Sequence, residues 1–259
     1  MSNSSVNPYS NLNLGIAWQN LMILGVATPT SPATVNTNII GNNTIPNSIV
    51  ATYYPISGGG VNTQTPTLAD TLTFMTANLQ VAVAESQNDY INGVLHSGQA
   101  GFSQQQMVFI NDLLQGIRNV TVNSIGNIGA NIGFIDTIQD RIAQSDLSAE
   151  EKTPLFMACT IGDQAFTYWS TVYQTVGGPW LPFLDINAAN DVRNWFNIPR
   201  YIIAAIEGCL LGYINSQLMD QPRTLSNQII SMLACSAAVN ACMVIFRWVP
   251  NGINPVSCC

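Results

Sequence analysis

Few residues in this sequence have the type and spacing that a chemical site requires, and Glu207 is the strongest candidate. It lies in the middle of an apolar run that contains no other carboxylate. An isolated buried carboxyl group has a raised pKa, which suits a general acid or base. Pairing with Arg193, Arg200 or Arg247 is the simpler interpretation and the favoured one.

Asp136 and Asp140 are a second candidate, because residues four positions apart share one face of a helix. Two neighbouring carboxylates can serve acid–base chemistry or bind a divalent ion. Arg141 follows them, however, and such charges are typical of a solvated helix face. The single histidine, His96, follows a predicted helix end and is expected to contact its last carbonyl groups. The sequence therefore predicts no catalytic residue, no metal site and no cofactor.

Two apolar helices are predicted within 200–248, joined by a polar turn at 220–223. Small residues recur on one face of each helix and allow another helix to approach closely. These predicted helix-packing residues are Ala204, Gly208 and Gly212 in the first helix and Cys235, Ala238 and Cys242 in the second. The pattern predicts a tight antiparallel hairpin.

This hairpin suits either a protein core or a membrane. The uncharged run 229–246 is barely long enough to span a bilayer, since a crossing needs roughly 20 apolar residues. Glu207 in the first helix would cost about 2.5 kcal/mol or more in lipid. The core interpretation is favoured, and membrane insertion is the alternative.

A second predicted interface consists of amides repeated every four residues. Its members are Asn119, Asn123, Asn127 and Asn131. In a helix they would form a ladder along one face, and amides that become buried need hydrogen-bond partners. Contact with a facing helix or with another copy is favoured over a solvated face.

The remaining patterns predict an all-α protein: a multi-helix bundle with the C-terminal apolar hairpin and an extended N-terminal arm. The arm comprises residues 1–66 and contains one short helix at 12–26, and residues 67–259 form the helical domain. Ser103 with Gln106, and Ser148 with Glu151, have the spacing of capping boxes and mark two helix starts.

Charge is scarce in this chain. Only 8% of its 259 residues are charged, against about 25% in an ordinary soluble domain, and the net charge is −7. The first basic residue is Arg118, so binding to nucleic-acid phosphates is excluded as a function. An exterior with little charge is weakly repelled by its own copies, which favours self-association.

The cysteines and the N-terminal residues predict a cytoplasmic protein. No positively charged stretch begins the chain as in a secretory signal. Cys159, Cys209, Cys235 and Cys242 lie in apolar helical contexts, where reduced thiols act as small hydrophobic groups. Three states are open for the last two residues, Cys258 and Cys259: free thiols, a disulfide to another copy, or lipid attachment.

The leading functional hypothesis is a non-enzymatic structural protein that associates with copies of itself into an ordered assembly. One alternative is a membrane-active, pore-forming protein that inserts the 200–248 hairpin. The other is an enzyme that uses Glu207 in an apolar pocket. The enzymatic hypothesis is the least favoured, because no arrangement of nucleophile and base has a meaningful spacing.

Overall fold

The computed structural model describes residues 6–10, 14–26, 102–120, 133–174, 180, 198–218 and 225–246. All regular secondary structure in these ranges is α-helical, which confirms the predicted all-α class. The helices of the described part are α1 (Leu14–Val26), α2 (Gln104–Arg118), α3 (Gly133–Gln144), α4 (Ala149–Gln174), α5 (Ile198–Leu218) and α6 (Leu225–Phe246). The predicted arm beyond residue 26 and both terminal cysteines lie outside the described residues.

Both predicted capping boxes are confirmed. At the start of α2, the Ser103 hydroxyl accepts from the Gln106 backbone N–H, and the Gln106 side chain accepts from the Ser103 N–H. At the start of α4, the Ser148 hydroxyl accepts from the Glu151 N–H, and a Glu151 carboxylate oxygen accepts from the Ser148 N–H. Each box satisfies backbone donors that a helix start leaves without partners.

The chain forms two compact units. The first contains residues 1–15 and 102–206, and the second contains 16–101 and 207–259. The division falls inside α1 and inside α5. The boundary predicted at residue 66 lies outside the described residues.

In the first unit, α2, α3 and α4 contact one another. Apolar residues three and four positions apart on α2 and α3 give each helix one buried face. They are Phe109, Ile110, Leu113, Leu114 and Ile117 on α2, and Ile135, Ile138 and Ile142 on α3. α4 is buried on all sides between Leu155 and Ile161, so it forms the centre of this unit. The Gln106 side chain adds a polar link by donating a 2.8 Å hydrogen bond to the Glu151 carbonyl oxygen.

An aromatic cluster around Trp169 completes the core of the first unit. The Trp169 ring meets Tyr168 and Trp180 edge-on, with centroids 5.3 and 5.2 Å away, and the Tyr201 ring is tilted against it at 4.9 Å. The Trp180 indole N–H donates to the Tyr168 hydroxyl. Aromatic pairs of this kind contribute about 0.5–1.5 kcal/mol each beyond the area that they bury. The cluster therefore links α4 to the first turn of α5.

In the second unit, α6 is buried around its whole circumference over three turns. Every side chain from Ser231 to Ala241 is buried. Trp18 of α1 is fully buried too, and its indole N–H donates a 2.9 Å hydrogen bond to the Ser236 hydroxyl. A helix that is covered on all sides has to be apolar or small on all sides, which the uncharged sequence of α6 satisfies.

Candidate functional site

Residues 6–10 form a turn that is bound to α3 and α4 in the first unit. Their side chains alternate between buried and exposed positions. Asn7 and Tyr9 are 2% and 6% exposed, whereas Val6 and Pro8 are exposed. The sequence predicts extended backbone here, and the structure differs because Asn7 binds the backbone of its own segment as well as the two helices.

The turn is built by residue types that favour it. The Asn7 side-chain oxygen accepts from the Tyr9 N–H at 2.9 Å, and the Asn7 carbonyl oxygen accepts from the Ser10 N–H at 3.2 Å. Asparagine commonly begins such turns, and a proline in the second position, here Pro8, fixes the required backbone angle. The Asn-Pro dipeptide is a local signal that favours the start of a turn.

The amide of Asn7 meets three acceptors. Its nitrogen lies 2.6 Å from the Gln139 side-chain oxygen, 3.1 Å from the Phe156 carbonyl oxygen and 3.1 Å from the Thr160 hydroxyl. The Thr160 hydroxyl donates its own hydrogen to the Phe156 carbonyl, so it can only accept from Asn7. Two amide hydrogens thus serve three oxygen atoms, so one hydrogen is shared between two of them.

Asp136 sets the orientation of Gln139 at this site. The Gln139 amide nitrogen donates a 3.3 Å hydrogen bond to an Asp136 carboxylate oxygen, which leaves the Gln139 oxygen to face Asn7. Gln139 itself is 2% exposed, whereas Asp140 is exposed. One aspartate of the pair considered for acid–base chemistry therefore positions a buried amide.

Tyr9 supplies the second anchor of the turn. Its hydroxyl lies 3.2 Å from the Thr153 hydroxyl. Thr153 donates its hydrogen to the Ala149 carbonyl oxygen at 3.0 Å, so the Tyr9 hydroxyl is the donor between the two. The receiving groups on α3 and α4 are here termed the Asn7 site. They are the Gln139 and Thr160 side chains, the Phe156 carbonyl and the Thr153 hydroxyl.

The predicted helix-packing glycines lie in the second unit against the backbone of α6. A methyl group built on Gly208 would lie 2.6 Å from the Cys235 carbonyl oxygen, and one on Gly212 would lie 2.4 Å from the Ser231 carbonyl oxygen. Since the later glycine meets the earlier α6 residue, α5 and α6 are antiparallel. The Ser231 hydroxyl donates a 2.7 Å hydrogen bond to the Gly212 carbonyl oxygen.

The other predicted packing residues are described more briefly. Ala204, Cys235 and Ala238 are buried, and Cys242 lies within α6. Burial raises the pKa of the Cys235 thiol to about 12, although a hydrogen bond with Ser231 opposes this change. The thiol is therefore neutral at physiological pH and unsuited to nucleophilic attack.

Glu207 is buried, with 1% of its surface exposed. Of the arginines suggested as partners, Arg200 is exposed, and Arg193 and Arg247 lie outside the described residues, as does His96. Within the described ranges, no group of three histidine, cysteine or acidic side chains could hold a metal ion.

The predicted amide ladder is described only at its first member. Asn119 is the C-cap residue that follows α2 and is exposed, and its side-chain oxygen accepts from the Gln115 amide at 3.0 Å. Asn123, Asn127 and Asn131 lie outside the described residues. Upstream of Asn119, further uncharged residues continue along one exposed side of α2. This α2 outer face consists of Gln104, Val108, Asn111, Gln115 and Asn119.

None of the helices in the described ranges combines the length and the apolar character needed to cross a membrane.

Comparison of the chain with protein families, with curated proteins and with solved structures finds no match. Its function is therefore inferred from its own residues.

Proposed function

We propose that this chain is a non-enzymatic structural protein that associates with copies of itself into an ordered assembly. Its 259 residues include only 14 acidic and 7 basic side chains. Charge on the exterior is what normally keeps copies of a protein apart, because like charges repel. A chain with so little charge meets weak opposition when copies approach one another.

The observation that carries this proposal is the α2 outer face. Val108 is 49% exposed and lies between exposed amides, with Gln104 before it and Asn111 and Gln115 after it. Amide side chains both donate and accept hydrogen bonds, so two such faces can bind each other without a complementary charge. The charged residues of α2 are Asp112, which pairs with Arg141 of α3 at 2.7 Å, and Arg118 at the C-terminal end of the helix.

Adding charge to the α2 outer face tests the proposal. In the double variant Asn111→Lys/Gln115→Lys, two copies would bring four ammonium groups together, and we expect association to weaken at least tenfold. Both positions are exposed, so the helix itself should remain folded, since lysine is a good helix former. Size-exclusion chromatography with light scattering at micromolar concentration measures the change.

Gln144→Lys is the matched control. It adds one of the two positive charges of the double variant, at an exposed position at the end of α3, where a cation also suits the helix dipole. We expect this variant to associate as the wild type does. A wild-type protein that elutes as a monodisperse monomer at all concentrations would contradict the proposal.

The proposed assembly is cytoplasmic, with copies of the chain itself as partners. Among the described residues, Cys159, Cys209 and Cys235 are buried and form no disulfide, as a reducing compartment favours. Vesicle assays separate this proposal from pore formation by the 200–248 hairpin. A structural protein leaves neutral and anionic vesicles intact, whereas a pore former releases a trapped dye from them. The enzymatic alternative requires Glu207→Gln to abolish a measurable activity.

A further inference from the structure

We propose that the Asn7 site is a peptide-recognition site that also takes the 6–10 segment of a second copy. This inference rests on the proposed self-association and names one contact through which it would occur. In the described structure the site holds the segment of its own chain. The same groups would bind the same segment from a neighbouring molecule.

The site selects its ligand through the carboxamide at position 7. Three oxygen acceptors, on Gln139, Phe156 and Thr160, face one NH₂ group. An aspartate at position 7 would place a carboxylate against these oxygen atoms, and an alanine would leave them buried without their donor. Asp136 prevents Gln139 from reversing its amide, because reversal would turn the Gln139 oxygen toward a carboxylate.

The segment carries its own shape, which is what exchange between copies requires. The hydrogen bonds from Tyr9 and Ser10 back to Asn7 lie entirely within the turn. A peptide that is already ordered loses less conformational entropy on binding. No charged side chain occurs before Asp70, so a second copy meets no side-chain repulsion from this segment.

The contacts do not depend on which chain supplies the segment. Asn7 binds groups that are 132 to 153 residues away in the sequence, so chain connectivity contributes only proximity. The two anchors, Asn7 and Tyr9, belong to a short segment that is held through side-chain hydrogen bonds, so its release does not require α3 or α4 to unfold. Exchange of an identical element between protomers is a low-cost route to assembly.

The experiment uses the full-length Asn7→Ala protein and a labelled synthetic peptide that spans residues 3–11. In this variant the chain's own segment binds the site more weakly, while the receiving groups on α3 and α4 are unchanged. We expect the peptide to bind this variant saturably, as measured by fluorescence anisotropy. Its affinity for the wild type should be at least about tenfold lower, because the wild-type chain's own segment competes for the site. A peptide with alanine at position 7 is the matched control and should lose at least about tenfold in affinity, as expected when a buried amide loses two or three hydrogen bonds.

Failure of the inference is distinguishable from failure of the proposed function. If the folded Asn7→Ala protein does not bind the peptide, or binds the alanine peptide equally well, the recognition site is overturned. If the peptide binds but excess peptide leaves the wild-type assembly unchanged in light scattering, the exchange between copies is overturned. A wild-type protein that is monomeric without added peptide contradicts the proposed function. Peptide binding to Asn7→Ala is a separate measurement and does not depend on that result. Should Asn7→Ala fail to fold by circular dichroism, Tyr9→Phe, which loses only the hydrogen bond to Thr153, replaces it.

Discussion

The Ser231 hydroxyl donates a 2.7 Å hydrogen bond to the carbonyl oxygen of Gly212, on the neighbouring antiparallel helix. The two helices can come this close because Gly212 has no side chain at the point of contact. The contact combines a buried hydrogen bond with backbone-to-backbone packing, so it fixes both the separation and the register of α5 and α6. Of the two α5 glycines that face α6, Gly212 leaves slightly less room for a methyl group than Gly208 does.

Gly212→Ala should therefore destabilise the protein, although alanine is the better helix former. The added methyl group would lie 2.4 Å from the Ser231 carbonyl oxygen and 2.5 Å from the Met232 Cα atom. These are backbone atoms, which cannot move away by changing a rotamer, so the helices must separate. We expect a loss of about 1–3 kcal/mol in the free energy of unfolding, measured by chemical denaturation.

Gly133→Ala is the matched control. A methyl group at Gly133, the first residue of α3, would meet no atom within 4 Å. The same substitution should be neutral or stabilise by up to about 1 kcal/mol, because alanine loses less conformational entropy than glycine in a helix. If Gly212→Ala is instead as neutral or stabilising as Gly133→Ala, helix propensity rather than close packing governs position 212.

The helices could be predicted from local signals, whereas the partners of their side chains could not. Ser103 and Ser148 marked two helix starts because capping is a local interaction between residues three apart. The spacing of Gly208 and Gly212 indicated which side of α5 could be approached, but the atoms they meet depend on the register of α6. Asp136 looked like part of a solvated face, because nothing local showed that Gln139 would be buried beside it.

The Asn7 site was missed for the same physical reason. The Asn7-Pro8 dipeptide indicates a turn, but the groups that bind the turn lie on α3 and α4, more than 130 residues away in the chain. A polar segment rich in serine and asparagine resembles an unbound arm until its acceptors are known. Gln139 of α3 and Thr160 of α4 are polar side chains at core-facing positions, and they are the signal that could have indicated the site.

Asp136→Ala should loosen the 6–10 segment, because it removes the group that orients the Gln139 amide. The Gln139 oxygen would then no longer be held toward Asn7. The expected weakening of segment binding is about 0.5–1.5 kcal/mol, the net value of a typical hydrogen bond. The side-chain amide resonances of Asn7 in an NMR spectrum report it, through a shift toward solvent-exposed values. Asp140→Ala removes an exposed carboxylate from the same helix and should leave these resonances in place.

Ser148→Ala should raise the pKa of Glu151. Hydrogen bonds from the Ser148 backbone N–H and from its hydroxyl lower the pKa of this carboxyl group below its ordinary value of 4.5. The variant loses the hydroxyl but keeps the N–H, so the pKa should rise and still remain below 4.5. Carboxyl chemical shifts followed during an acid titration measure this pKa.

The sign of the resulting pH dependence follows from the lowered pKa. The stabilisation from ionised Glu151 is present above pH 4.5 and is lost as pH falls through the lower pKa of the folded state. Ser148→Ala should reduce that loss. Ser145→Ala, which removes a hydroxyl that binds the Ile142 carbonyl oxygen at the end of α3, should leave the Glu151 titration unchanged.

The buried thiol of Cys235 should make the protein less stable in alkali. Burial raises its pKa from 9.0 to about 12, so between these values the unfolded chain releases a proton that the folded chain retains. The contribution of the neutral thiol is intact below pH 9 and is lost as pH rises toward 12, by up to about 1.4 kcal/mol per pH unit. Cys235→Ala should show a shallower decline in the free energy of unfolding over this range. Val239→Ala is the control, because it also removes buried volume from α6 but no titrating group. It should lower the free energy of unfolding and keep the wild-type pH dependence. If the free energy of unfolding falls equally steeply with pH in all three proteins, the thiol ionises as readily in the folded state as in the unfolded state.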